Sequence, residues 1–127
     1  MQDLWLSLFF DREFHLETGQ QREDARARNM LRYLHDHYQE KFSLTKMSAA
    51  PNLSRGECSR YFHRSLGMTI SEYLLQYRLG ISMRMLRQET WSITEIAHAV
   101  GFSSPSSYTE KFRKRTGLTP RQYRKHH

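Results

Sequence analysis

The feature that most constrains this chain is an internal repeat. Ser43-Leu44-Thr45 aligns with Ser92-Ile93-Thr94 at an offset of 49 residues, and Met47, Ala50 and Leu53 then meet Ile96, Ala99 and Phe102. One inserted residue moves the offset to 50, after which Ser54, Cys58, Phe62 and Gly67 meet Ser104, Tyr108, Phe112 and Gly117. Thr69 and Tyr73 pair with Thr119 and Tyr123 to close the unit. Self-similarity of this kind sets an architecture before any single residue is read, and two copies make a duplicated module, not a solenoid.

Within each copy, apolar residues recur at helical spacing and are broken at the same points. A helix is expected from about Asp24 to Glu40, carrying Met30, Leu31, Leu34 and Tyr38. Ser43 should cap a short helix with Leu44, Met47 and Ala50 inward, and Pro51-Asn52-Leu53 should turn the chain. Ser54-Arg55-Gly56-Glu57 has the Ser-x-x-Glu form of a capping box, in which the two side chains satisfy free amides reciprocally. The helix it opens should stop at Gly67. A long connector follows from Ser71 to about Gln88, with Tyr73, Leu74, Tyr77, Ile81 and Met85 on one face. The second copy repeats the plan: a capping box at Ser92 to Glu95, inward Ile93, Ile96 and Val100, and a turn at Gly101-Phe102-Ser103. There Ser104 caps a helix with Pro105 at its first position, where a missing N–H costs nothing. Gly117 stops it, and a short helix containing Tyr123 begins at Pro120. The expected fold is all-α: two helix-turn-helix subdomains joined by a long helix, over residues 24–127, with units at about 24–70 and 92–127.

Charge narrows the choice of partner. The net charge is +7, and it is uneven: residues 1–54 hold 7 Lys/Arg against 8 Asp/Glu, and residues 55–127 hold 13 against 5. A basic block on a folded chain favours a polyanion. The single cysteine, Cys58, excludes an internal disulfide and falls on an apolar helix face. The seven histidines show no metal-type spacing, so neither a metal nor another cofactor is expected. No stretch is long enough to span a membrane. The apolar run at residues 4–10 is short, follows Asp3 and lacks a basic leader, so a cytoplasmic setting is expected. Residues 1–23 read as an apolar segment plus polar lead-in, either packed on the body, a homodimer contact, or the tail of an effector domain.

In a helix-turn-helix the first helix braces the second, which lies in the major groove. Ala49, Ala50, Ala97 and Ala99 are small enough to let brace and second helix approach. With Cys58, Tyr61 and Phe62 inward, a step of about 100° per residue sends Gly56, Arg60 and His63 outward, with Ser59 at the flank. The same step in the other copy exposes Ser106, Glu110 and Arg113, with Thr109 at the flank. These eight are the base-facing candidates, Arg60 first among them because a guanidinium can bond a guanine O6/N7 pair bidentately. Phosphate contacts are expected from Ser43, Thr45, Ser92 and Thr94 at helix starts, and from Arg64, Lys114, Arg115, Arg121 and Arg124 as mobile charge.

These residues resemble the AraC/XylS family of transcription regulators over about residues 27–125. The resemblance is densest in Ser92-Ile93-Thr94-Glu95-Ile96-Ala97, Gly101-Phe102-Ser103-Ser104, Phe112-Arg113-Lys114, Gly117-Leu118-Thr119-Pro120 and Tyr123-Arg124. The first copy adds Asn52-Leu53-Ser54, Tyr61-Phe62, Gly67, Tyr73 and Tyr77-Arg78-Leu79. It implies about seven helices, recognition helices in successive major-groove segments of double-stranded DNA, and activation through contact with RNA polymerase. Four residues depart from the pattern. Pro51 stands where a small residue usually ends the brace helix and should reshape the turn. Gly56 replaces a larger base-contacting side chain, so the first unit should read fewer bases. Ser82 replaces an alanine. Glu110 either accepts from a cytosine amino group or pairs with Arg113 or Lys114 on its own helix.

The competing reading is a helical protein-interaction domain whose basic face is incidental. The polar groups repeated opposite both apolar faces argue against it. No nucleophile–base arrangement or phosphate-cradling loop supports an enzyme, and neither outward face carries the stacking aromatics that RNA recognition would want.

Overall fold

The computed structural model describes residues 21–126; the apolar run at residues 4–10 and most of the lead-in lie outside them. Seven helices follow in order among the described residues, with no strand. They are α1 Gln21–His37, α2 Leu44–Ala49, α3 Arg55–Leu66, α4 Ile70–Arg87, α5 Ile93–Ala99, α6 Pro105–Thr116 and α7 Pro120–His126. The chain divides into two compact units: one holds α1 to α3 and α4 as far as Leu74, and the other takes Tyr38–Lys41 with everything from Leu75 onward. Helix α4 thus closes the first unit and opens the second.

Helices α2 to α7 each begin where side chains satisfy free amides. Ser54 and Glu57 form a complete capping box at α3, and Ser92 and Glu95 form another at α5. Two more follow the pattern Thr-x-x-Glu/Gln in the sequence. Thr69 and Glu72 bond reciprocally at the start of α4, and Thr119 and Gln122 do so at α7. Ser43 and Ser104 each accept one amide, from Lys46 and Ser107. Gly67 and Gly117 stop α3 and α6 in left-handed conformations.

The turns of the two units share one hydrogen-bond pattern. Leu53 N donates to Ser48 O and Asn52 N to Ala49 O; in the second unit Phe102 N donates to Ala97 O and Gly101 N to His98 O. Both are Schellman closures with a left-handed residue, Asn52 at φ 59° and Gly101 at φ 102°. Pro51 therefore leaves the turn in the shared geometry, contrary to the expectation that it is reshaped. Glycine is required at 101 on steric grounds as well, because a Cβ there would stand 2.6 Å from the Tyr38 carbonyl oxygen.

The first core is built from Ala27, Met30, Leu31 and Leu34 of α1, Met47 of α2, Cys58, Tyr61, Phe62 and Leu66 of α3, and Ile70, Tyr73 and Leu74 of α4. Ala49 and Ala50 are exposed, and the buried small residue facing α3 is Ser48, whose hydroxyl is spent on the Thr45 carbonyl. In the first unit the closure winds the chain outward after Ser48; in the second the matching Ala97 is buried and Ala99 is half-buried. The second core holds Leu79, Ser82, Met83 and Leu86 of α4 with Ile96, Ala97, Val100, Phe102, Tyr108, Phe112 and Tyr123. The connector consequently does not carry the single expected stripe, since Tyr77, Ile81 and Met85 are only half-buried. Ile70, Tyr73 and Leu74 serve one unit, and Leu79, Met83 and Leu86 serve the other. Leu79 lies nine residues past Ile70, about half a turn out of phase.

An aromatic pair recurs in both cores. Phe62 meets Tyr73 edge-to-face at 5.7 Å, and Phe112 meets Tyr123 at 5.5 Å. Each tyrosine hydroxyl is anchored from the helix that opens its unit: Tyr73 lies 2.6 Å from His35 Nε2, and Tyr123 accepts from Arg87 at 3.4 Å. Two arginines seal the chain ahead of each short helix. Arg78 donates to the carbonyls of Tyr38 and Glu40 at 2.8 and 2.9 Å, and burial lowers its pKa. Arg124 donates to the Leu86 carbonyl at 2.9 Å and to that of Trp91. The expectation of Arg124 as mobile phosphate-binding charge is corrected accordingly, because its guanidinium holds backbone.

Tyr108 is the exception to this polar satisfaction. Burial pushes its phenol well above the usual pKa, an effect the nearby Ser82 hydroxyl opposes only in part. Its oxygen has no hydrogen-bond partner of acceptable geometry among the described residues, while the Ser82 proton goes to the Leu79 carbonyl. Tyr108→Phe should leave stability unchanged or raise it by up to about 1 kcal/mol. Phe112→Ala should cost about 3–5 kcal/mol; chemical denaturation of both variants checks the contrast.

Glu57 and Glu95 lie below the ordinary carboxylate value of 4.5, held there first by the Ser54 and Ser92 amides and next by their hydroxyls. A depressed folded-state pKa gives stability that is complete above the unfolded value and is lost as pH falls through the folded one. The thermal midpoint should therefore drop on acidification below about pH 4.5. Glu57→Gln and Glu95→Gln, which keep a capping acceptor, should make that acid limb shallower.

Candidate nucleic-acid interface

The rotation of α3 follows from what it buries. Cys58, Tyr61, Phe62 and Leu66 are buried, so Gly56, Arg60 and His63 are exposed and Ser59 is half-buried at the flank. In α6 the buried pair Tyr108 and Phe112 leaves Ser106, Glu110 and Arg113 exposed, with Thr109 half-buried. All eight sequence candidates thus fall on the outward side of their helices.

Each face borders an open hollow, and the two hollows correspond. Ser59, Arg60, His63 and Thr69 line a space of about 480 Å³ in the first unit, and Thr109, Glu110, Arg113 and Thr119 line one of about 450 Å³ in the second. These are the same four positions at an offset of 50. Thr69 and Thr119 were not singled out from the sequence, although their capping boxes mark them. Phe42, Leu44 and Ile70 give the first hollow an apolar wall, and Arg64 adds a second guanidinium. The second hollow has Pro105 and Ser106 instead, and a carboxylate where the first has Arg60.

The flanking candidates divide by exposure. Thr45, Ser92, Thr94, Lys114, Arg115 and Arg121 are exposed, and Ser43 is half-buried under its own cap. Arg64 is exposed at the head but rests on the Tyr61 ring at 5.4 Å, with Arg26 5.3 Å from the same ring. Arg124 is withdrawn by its backbone bonds. Glu110, Arg113 and Lys114 share the exposed side of α6. Among the described residues no group of three His, Cys, Asp or Glu is placed to hold a metal ion, and no helix is long and apolar enough to cross a membrane.

Comparison with known proteins agrees with this geometry. Residues 47–126 match the family model described as a helix-turn-helix domain. The uncharacterised helix-turn-helix-type transcriptional regulator YdeC of Bacillus subtilis is 36% identical over 124 residues, which is 96% of this chain and 42% of that protein. The chain therefore spans about two fifths of that relative's length. An AraC-type DNA-binding transcriptional regulator from Chromobacterium violaceum superposes with a TM-score of 0.74 at 26% identity, covering 84% of this chain and 95% of that one. The DNA-binding domain of the global transcriptional factor AdpA, solved with a target DNA, gives 0.73 at 26% identity, covering 79% and 90%. The chain belongs to the AraC-type family of helix-turn-helix DNA-binding domains found in transcription regulators.

Proposed function

We propose that the chain is a sequence-specific double-stranded DNA-binding module that reads successive major-groove segments with α3 and α6. The observation that carries this reading is the pair of matched outward faces, each bordered by a hollow, on a chain whose positive charge is concentrated beyond residue 54. The complex of AdpA with its target DNA supports it by structural likeness. Arg60 is the base reader of the first unit, supported at its margins by Ser59 and His63. Ser106, Thr109, Glu110 and Arg113 read in the second, where Glu110 accepts from a cytosine amino group. Arg64, Lys114, Arg115, Arg121 and the hydroxyls of Ser43, Thr45, Ser92 and Thr94 supply phosphate contacts, which set affinity and salt dependence without sequence choice. The module acts in the cytoplasm as a transcriptional activator in contact with RNA polymerase, as the family resemblance implies.

A gel-shift series with promoter fragments at rising salt tests this reading. Binding should be selective for a defined duplex and should weaken steeply with salt. Arg60→Ala should cost that duplex about 1–3 kcal/mol and leave binding to unrelated DNA nearly unchanged. Equal binding to every sequence, unaltered by the substitution, contradicts it. Arg124→Ala should behave differently: it should lower the thermal midpoint through the carbonyls it leaves unbonded, with the salt slope of DNA binding unchanged.

A further inference from the structure

Arg60 does not project straight from α3. Helical side chains lean toward the N-terminus and cover the residue four positions earlier, which here is Gly56. A Cβ built on Gly56 would stand 3.1 Å from Arg60 Nη1 and 3.7 Å from both Cζ and Nη2. The guanidinium thus borders the space that any other residue at 56 would fill. The second unit lacks this arrangement: the positions matching Gly56 and Arg60 carry Ser106 and Glu110.

We propose that Gly56 is a positioning residue for specificity: the space left by its missing side chain lets the Arg60 guanidinium sit over the first turn of α3. The N-terminal residues of a recognition helix are the ones that meet base edges. A guanidinium held at that level is already where a guanine edge is read, and it does not have to be ordered on binding. Gly56 is then not a lost base contact, as its missing side chain suggests, but the space in which the Arg60 contact is made. This inference rests on the reading of Arg60 as a base-contacting residue.

Selection of the full chain against a randomised duplex pool tests both levels separately. Arg60→Ala identifies the base pair whose preference Arg60 sets. Gly56→Ala should lower the preference at that pair by roughly three- to tenfold, a fraction of what a complete bidentate contact supplies. It should leave preferences at other pairs unchanged and the thermal midpoint no lower, since alanine is the better helix former. In the Arg60→Ala background, Gly56→Ala should add nothing. The proposal is overturned if Gly56→Ala keeps the full preference at the Arg60 pair, or if it weakens all pairs alike with Arg60 absent. If Arg60→Ala itself changes no pair, base reading by Arg60 fails and the inference falls with it.

Discussion

The edge-to-face contacts of Phe62 with Tyr73 and of Phe112 with Tyr123 hold each recognition helix in one rotation. They pin α3 to the opening of α4, and α6 to α7. Which residues α3 and α6 present outward depends on that rotation, because a turn of about 100° would exchange Arg60 for its neighbours. The tyrosine hydroxyls are tied in turn to the helix that opens each unit, through His35 and Arg87. Each unit is therefore a closed set: opening helix, brace, recognition helix, closing helix. An edge-to-face pair adds only about 0.5–1.5 kcal/mol beyond the area it buries. Its larger consequence is geometric.

Duplication explains why one helix can serve twice. The first half of α4 is the closing helix of one unit and its second half is the opening helix of the other, so it needs an apolar stripe for each. The two copies have since diverged where they face outward and, to a lesser degree, inside. Leu53 and Cys58 stand where the second core has Phe102 and Tyr108. The second core is built around a continuous run of rings from Phe102 to Tyr123. It also buries a phenol oxygen that has no hydrogen-bond partner of acceptable geometry among the described residues.

Much of the fold was legible because the repeat compares the sequence with itself. Helix starts could be read from Ser-x-x-Glu and stops from Gly67 and Gly117, and the outward faces followed from the inward ones. What misled the sequence reading were features that periodicity does not encode. Ala49 and Ala50 look like a small-residue contact, yet a Schellman closure turns them out and leaves Ser48 inside. One stripe drawn along α4 missed Leu79, Met83 and Leu86, because a helix shared by two cores has two phases. Arg124 looked like surface charge because its carbonyl partners, at Leu86 and Trp91, are more than thirty residues away. The lean of Arg60 over Gly56 is a three-dimensional fact of the same kind.

The central claim is that α3 and α6 are the surfaces that meet DNA. Backbone amide shifts of the labelled chain, followed by NMR during titration with a selected duplex and with a scrambled one, test it most directly. The account predicts that the selected duplex perturbs residues 54–64 and 104–115 most strongly, with Arg60 and Glu110 among them. The scrambled duplex should move chiefly the basic flanks. Perturbations centred on α1 and sparing both recognition helices would contradict it.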